Sequence, residues 1–245
     1  VYKRQVVLAD GMGGHRGGEV ASAITVNTIM ESLGSELKKL PQGSLDETSG
    51  RSLESIAVYD AIYSANHKVF SASQDNTQYR GMGTTVVVLL FYDGRFTVAH
   101  VGDSRLYRYR DGYLEQITND HSLMQEMVDR GFYTPEQAET SLNRNMVTRA
   151  VGIEETVEID VLEGIVQTED IYLLCSDGIT DMITDDDIRS TILNNSDDLK
   201  ATASELIRMA NEAGGRDNIS AVLARPFKPF QSDDGLFSRI FELFS

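Results

Sequence analysis

Four aspartates stand at the ends of predicted strands, and carboxylates gathered at such positions can bind metal ions. Each lies beside Gly or Asn: Asp10, Asp103, Asp177 and Asp217. Taken singly, such a residue is explained by turn formation, because its side chain accepts hydrogen bonds from nearby backbone N–H groups. If the strands are neighbours, the carboxylates converge, and their repulsion requires bound protons or a cation. Oxygen ligands without a His or Cys cluster suit Mg²⁺ or Mn²⁺ better than Zn²⁺.

Such ions favour hydrolysis of phosphate esters. They lower the pKa of a bound water and offset the charge of a phosphate dianion. Two ions roughly 3.5–4 Å apart can hold a bridging hydroxide in line with phosphorus, so that no covalent nucleophile is required. The chain contains no Cys-x5-Arg loop, and its single cysteine, Cys175, lies in an apolar run and is expected to be a small buried hydrophobe. A single cysteine also excludes a disulfide within the chain.

A glycine-rich segment directly follows Asp10. Five glycines fall between Gly11 and Gly18, which permits close approach of the backbone to a ligand or an ion. The segment is not a nucleotide P-loop, because no Gly-Lys-Ser/Thr follows. We interpret it as a loop that supports the site and carries His15.

The elements that must position these residues are helices and antiparallel strands. Two tight turns, Asp93-Gly94 and Asp111-Gly112, predict hairpins, and strands joined in this way are antiparallel. Apolar spacing predicts helices at about 19–39, 51–72, 121–131, 184–194 and 197–213. Apolar runs predict strands at about 6–9, 84–92, 95–101, 106–110, 113–117, 156–163, 169–175 and 219–224. Helices and antiparallel strands in separate blocks indicate an α+β fold with sheets covered by helices.

Composition narrows the functional classes. The chain has 245 residues and a net charge of −16, with 38 acidic and 22 basic residues. This balance argues against a nucleic acid as the main partner and against adhesion to an anionic membrane. No stretch approaches the roughly 20 apolar residues of a membrane span, and no signal peptide is visible. We therefore expect a cytoplasmic protein.

Seven motifs in order give the chain a family resemblance. Over about residues 5–224 it resembles the bacterial branch of the PP2C-type (PPM) metal-dependent Ser/Thr protein phosphatases. The matching segments are Ala9-Asp10-Gly11-Met12-Gly13-Gly14-His15, Gly81-Met82-Gly83-Thr84-Thr85, Val101-Gly102-Asp103-Ser104-Arg105, Asp120-His121-Ser122, Thr148-Arg149-Ala150-Val151-Gly152, Cys175-Ser176-Asp177-Gly178 and Gly215-Arg216-Asp217-Asn218. The resemblance implies a four-layer α-β-β-α sandwich of two antiparallel sheets with a small flap insertion at about 122–145. We assign residues 1–225 to this domain and 226–245 to a linker and a short amphipathic helix.

The resemblance also implies roles for particular residues. Two or three Mn²⁺ or Mg²⁺ ions are expected. Asp10 would bridge two of them, with the Gly11 carbonyl on one and Asp177 and Asp217 on the other. Asp103 would hold the third ion, and Asp181, four residues after Asp177, is a candidate second ligand for it. The nucleophile would be a metal-bridging water or hydroxide, and His15 is our candidate general acid for the leaving serine or threonine oxygen.

One departure from the family concerns the N-terminus. Family members begin with a strand whose Arg contacts the substrate phosphate, and no segment here matches it. Arg4 lies only six residues before Asp10, on what corresponds to the second strand. We interpret the sequence as lacking the first strand, and we expect the phosphate-contacting Arg upstream of Val1.

Three functions remain open at this point. The leading one is hydrolysis of phosphoserine and phosphothreonine in proteins, opposing a Ser/Thr kinase, by a monomer. A second is a non-catalytic phosphoprotein-binding module with the same fold, which is expected to have lost metal ligands. A third is a hydrolase of small phosphoesters, which predicts a deep closed pocket. The apolar stripe in 236–245 is expected to dock on its own domain, or else on a partner or a second copy.

Overall fold

The computed structural model describes residues 4–41, 43–139, 141 and 146–226. These residues include ten strands, seven α-helices and one 3₁₀ turn at Thr77–Tyr79. The strands are β1 Arg4–Leu8, β2 Gly11–Met12, β3 Gly83–Thr84, β4 Val86–Tyr92, β5 Arg95–Val101, β6 Arg105–Arg110, β7 Tyr113–Gln116, β8 Asp160–Ile165, β9 Ile171–Cys175 and β10 Ala221–Ala224. The helices are α1 Gly14–Glu36, α2 Leu53–Asp75, α3 Leu123–Asp129, α4 Pro135–Glu139, α5 Asp177–Thr180, α6 Asp185–Asn194 and α7 Leu199–Glu212.

The strands form two four-stranded sheets and one small ribbon. The first sheet has the order β1-β4-β5-β8 and the second has the order β10-β9-β6-β7, while β2 pairs with β3. Every described pairing is antiparallel. The Asp93-Gly94 and Asp111-Gly112 turns close the β4–β5 and β6–β7 hairpins, and both aspartates have positive φ. The predicted antiparallel architecture is therefore confirmed.

Strand β4 shows why the sheets are covered on both faces. All seven of its residues are buried, because alternate side chains point to opposite faces of the sheet. Val86, Val88 and Leu90 pack in a cluster with helices α1 and α2. Val87, Leu89 and Phe91 pack instead against Tyr172 and Leu174 of the second sheet.

The second sheet is covered on its outer face by helices. Residues of β6 and β9 form a third cluster with α6 and α7, which contains Leu173, Ile188, Ile192 and Leu206. The order of layers is therefore helices, sheet, sheet, helices. This is the four-layer sandwich that the family resemblance implied.

Local sequence fixes where several helices begin. The Ser52 side chain caps α2 by accepting a hydrogen bond from Ser55 N, and Thr184 forms a reciprocal capping box with Asp187 at the start of α6. Helix α7 begins after Asp198, whose carboxylate accepts from two backbone N–H groups. Such caps satisfy N–H groups that the helix leaves without a partner.

Some boundaries differ from the sequence prediction. Helix α1 begins at Gly14 rather than near 19, so His15 lies in its first turn and not in a loop. The short helix α5 was not predicted, and β8 begins at Asp160 rather than near 156. Helices α3 and α4 occupy part of the proposed flap at 122–145. The proposed helix at 236–245 lies outside the described residues.

No helix among the described residues is long and apolar enough to cross a membrane.

Candidate metal centre

Asp10 follows β1, and its backbone is held on both sides by two threonines. Its carbonyl oxygen accepts hydrogen bonds from Thr85 N at 2.8 Å and from Thr84 Oγ1 at 2.7 Å. Its N–H donates to Thr85 Oγ1 at 3.2 Å. These contacts leave the carboxylate as the part of Asp10 that is available to a ligand.

Asp177 and the loop that carries Asp217 are joined by one serine. Asp177 is the first residue of α5, and Ser176 precedes it. The Ser176 hydroxyl donates to Asn218 O at 2.7 Å and accepts from Ser220 N at 3.0 Å. A Cβ on Gly178 would lie 2.3 Å from Asn218 O, so only glycine permits this approach.

Electrostatic coupling shows that the aspartates converge. Burial, followed by the charges of Asp177 and Asp217, raises the pKa of Asp10 to about 7. Burial, followed by the charges of Asp217 and Asp181, raises the pKa of Asp177 to about 6. Asp10 and Asp177 also share a side-chain hydrogen bond. Carboxylates that hold protons at such pH values form a site that a cation would neutralise.

Asp103 joins the same group from a different strand. It lies in the turn between β5 and β6 and is buried. Burial, followed by the charges of Asp177 and Asp120, raises the pKa of Asp103 to about 7, and Asp10 adds to the effect.

A cleft is lined by two of these four carboxylates. Asp10, Gly11 and Asp217 line it, together with Glu19, Ser22 and Arg216. The glycine-rich segment closes one side, because a Cβ on Gly18 would lie 2.6 Å from the Gly11 carbonyl carbon. The two chain segments can therefore touch only where both residues are glycine.

The structure brings some of the predicted site residues together and leaves the position of others undescribed. Asp10, Asp103, Asp177 and Asp217 are brought together, and the Asp181 charge acts on Asp177. Gly11 lines the cleft. The side chain of His15 is not among the described ones, so only its place in the first turn of α1 is established. Sequence reasoning did not single out Glu19 and Arg216, because only the packing of α1 against the Asp217 loop brings them to one cleft.

A second group of metal-ligating side chains consists of His100, His121 and Asp160, whose candidate ligand atoms lie within 4.8 Å of one another. His121 Nδ1 accepts a hydrogen bond from Gly102 N at 3.1 Å, which leaves the ring proton on Nε2. Arg149 Nη1 lies 3.1 Å from Asp160 Oδ1. A protonated ring nitrogen and a guanidinium both disfavour a metal cation, so we interpret His121, Asp160 and Arg149 as a polar network on which the His100 ring stacks.

The sequence and the fold both have known relatives. The model of the family Protein phosphatase 2C matches residues 3–224. The chain belongs to the protein phosphatase 2C family. The protein phosphatase PhpP of Streptococcus pneumoniae is 38% identical over 221 residues, which cover 90% of this chain and 85% of that protein. This chain therefore shares nearly its whole length with a protein phosphatase 2C relative.

Solved structures of protein phosphatase 2C relatives show the same fold. The serine/threonine phosphatase PstP/Ppp of Mycobacterium tuberculosis is 35% identical with a TM-score of 0.79, over 91% of this chain and 88% of that one. The catalytic domain of PstP in complex with two manganese ions is 34% identical with a TM-score of 0.77, over 91% and 87%. The α-β-β-α sandwich is thus the architecture that this chain has in common with them.

Proposed function

We propose that this chain hydrolyses phosphoserine and phosphothreonine in proteins with the help of divalent metal ions. The observation that carries the proposal is the convergence of Asp10, Asp103, Asp177 and Asp217 from separate strand ends. Three of these carboxylates have raised pKa values because they are buried near one another. The family match and the manganese-containing relative support the same reaction.

The donor set fits Mn²⁺ or Mg²⁺. Asp10, the Gly11 carbonyl, Asp177 and Asp217 offer only oxygen, which these hard cations prefer. Asp10, Gly11, Asp177 and Asp217 would hold two ions, and Asp103, with Asp181, would hold a third. When bound, the ions supply an activated water and offset the charge of the phosphate.

The chain's own residues perform the remaining tasks. Thr84 and Thr85 fix the backbone of Asp10, and Ser176 fixes Asp177 against the Asp217 loop. His15 is proposed to protonate the leaving serine or threonine oxygen.

The two alternative functions are less well supported. A non-catalytic binding module is expected to have lost acidic ligands, whereas all the matched carboxylates are present and lie together. A small-phosphoester hydrolase requires a closed pocket, whereas Asp217 lies exposed at the edge of its cleft. We therefore favour phosphorylated proteins as substrates. We also propose an opposing Ser/Thr kinase, a cytoplasmic location and a monomeric state.

Hydrolysis of a phosphothreonine peptide tests the proposal directly. We expect activity with Mn²⁺ or Mg²⁺ and its loss with a chelator. Asp10→Asn should lower the rate by at least about 100-fold, because it removes a charge from the proposed ligand set. Asp60→Asn makes the same change on the exposed face of α2 and should leave the rate unaltered. Activity that is indifferent to chelator would overturn the metal mechanism.

A further inference from the structure

The turn that carries Asp103 is tightly constrained by its neighbours. Gly102 has φ +105°, and a Cβ there would lie 2.7 Å from the Thr85 side chain, so the position requires glycine. Asp103 is therefore presented by a backbone that has little freedom of its own. The contacts that hold Gly102 and Ser104 decide where its carboxylate lies.

His121 holds the residue before Asp103 through two hydrogen bonds. Its backbone N–H donates to Gly102 O at 3.0 Å. Its ring nitrogen Nδ1 accepts from Gly102 N at 3.1 Å. The imidazole thus satisfies a buried backbone N–H at the point where β5 has ended, and such a group is costly to leave without a partner.

The His121 ring is in turn held by a neighbouring strand. With Nδ1 accepting, the proton lies on Nε2, which faces Asp160 Oδ2 at 3.4 Å and also lies 3.4 Å from Arg149 Nη1. Asp160 begins β8 and also binds Arg149 Nη1 at 3.1 Å. One face of the His121 ring stacks on the His100 ring, with the two ring centroids 4.6 Å apart. The orientation of the imidazole is therefore set by residues outside the Asp103 turn.

We propose that His121, oriented by Asp160, is a positioning residue for Asp103 and sets the affinity of the Asp103 position for a divalent cation. The inference rests on the proposed function, because it takes Asp103 as a metal ligand. Among the described residues, no hydrogen bond or ion pair joins His121 to Asp10, Asp177 or Asp217. Loss of the ring contact should therefore weaken the Asp103 position and spare the other three ligands.

Thr85 offers a contrast on the other side of the same turn. Its hydroxyl lies 2.7 Å from the Ser104 hydroxyl and also accepts from Asp10 N at 3.2 Å. Thr85 is thus hydrogen-bonded both to Ser104, the residue after Asp103, and to Asp10. Its loss should disturb both parts of the site, unlike the loss of the His121 ring.

Mn²⁺ binding to the 245-residue chain, followed by the electron paramagnetic resonance signal of free Mn²⁺, tests the proposal without an activity measurement. Two classes of sites are expected, a tighter one at Asp10, Asp177 and Asp217 and a weaker one at Asp103. His121→Gln removes the acceptor near the backbone and should raise the Kd of the weaker class by about 10-fold or more. The tighter class should change by less than about twofold.

Matched variants distinguish the loss of Asp103 positioning from a general disturbance of the fold. In His121→Asn the side-chain carbonyl stands near the place of Nδ1, so it can accept from Gly102 N and should restore the weaker class to within about threefold of wild type. Thr85→Val should weaken both classes. Exchange of the Gly102 amide hydrogen in metal-free protein should be faster in His121→Gln than in His121→Asn. Should His121→Gln fail to fold, Asp160→Asn is expected to weaken the same class by a smaller factor.

The outcomes that overturn the inference differ from those that overturn the proposed function. An unchanged weaker class in His121→Gln, or an equal loss in both classes, would contradict the positioning role. A wild-type chain with a single class of Mn²⁺ sites and Mn²⁺-dependent hydrolysis would also contradict it, but would leave the proposed function intact. A wild-type chain that binds no Mn²⁺ would overturn both.

Discussion

At the scale of single residues, burial shifts the pKa values of the carboxyl and imidazole side chains in and near the candidate metal centre. It raises the pKa values of Asp10, Asp103 and Asp177 and lowers the pKa values of His100 and His121. In both cases the charged form is disfavoured, because a buried charge loses the solvation of water. At neutral pH the imidazoles are therefore uncharged, while Asp10 and Asp103 are protonated for part of the time unless a cation replaces the proton.

The candidate general acid gives the first residue-scale prediction. Protonation of a leaving oxygen matters most when that oxygen is strongly basic, so His15→Gln should slow a phosphothreonine peptide by roughly 100-fold or more. Hydrolysis of p-nitrophenyl phosphate, whose leaving group is weakly basic, should change far less. The kcat values of the two substrates measure the difference.

His67→Gln is the matched control for this experiment. It makes the same substitution on α2, where the ring contacts Tyr63. Any change in kcat should be the same for the two substrates. If His15→Gln slows both substrates to the same extent, His15 is not the general acid.

At the scale of elements, glycines decide how closely α1 can approach the site. Gly17 and Gly18 lie inside the helix, where glycine lowers intrinsic stability. A Cβ on Gly17 would lie 3.2 Å from Met82 Cβ, and a Cβ on Gly18 would lie 2.6 Å from Gly11. The two glycines therefore lower the intrinsic stability of the helix but allow its N-terminal end to lie close to Asp10 and Gly11.

Two alanine substitutions in α1 should have effects of opposite sign. Gly18→Ala should lower the free energy of unfolding by about 1–3 kcal/mol, because its Cβ meets backbone that cannot move aside. Gly34→Ala should raise it by roughly 0.5–1 kcal/mol, because no atom lies within 4 Å of the new Cβ and alanine favours helix. Denaturant unfolding of both variants measures these changes. A stabilising Gly18→Ala would contradict the close approach.

At the scale of the whole molecule, the sandwich brings together residues that are far apart in sequence. Asp10 follows a strand of the first sheet, while Asp177 follows and Asp217 precedes strands of the second. The core between the sheets fixes their separation through Leu89, Phe91 and Tyr172. Because the fold holds these carboxylates close together, their ionisation changes the stability of the fold.

This linkage predicts how metal-free stability depends on pH. The carboxylate pKa values are raised above their unfolded values, so the folded chain binds more protons between about pH 4 and pH 7. Their contribution to stability is complete below the unfolded pKa and is lost as the pH rises through the folded pKa. Without metal, Asp10→Asn should therefore melt higher than wild type at pH 7.5, by roughly 3–6 °C.

The difference between the two proteins should shrink as the pH falls toward 5, where the wild-type carboxylates are protonated. Saturating Mn²⁺ should stabilise wild type more than Asp10→Asn at pH 7.5. Thermal melts of both proteins across this range, with chelator and with Mn²⁺, provide the measurement. A wild type that is the more stable protein without metal at pH 7.5 would contradict a repulsive cluster.

Much of this molecule can be predicted from the sequence alone. The tight turns at Asp93-Gly94 and Asp111-Gly112 determine hairpins, and the continuous apolar run of β4 determines a strand buried on both faces. Both follow from local properties, namely positive φ and the alternation of side chains. The four strand-end aspartates could be recognised because Asp beside Gly or Asn is unusual when it recurs at the ends of core strands.

Only the tertiary structure decided the remaining features. The start of α1 at Gly14 depends on its contact with Gly11 and Met82, and helix propensity alone places it later. The His121–Gly102 contact joins residues 19 positions apart, and the Asp160 contact to the same ring comes from another strand. Local sequence fixes which residues turn, alternate or cap, whereas the packing of the two sheets decides which of them meet. The aspartates are visible as a pattern in the sequence, but the side chains that hold them become visible only when the layers are assembled.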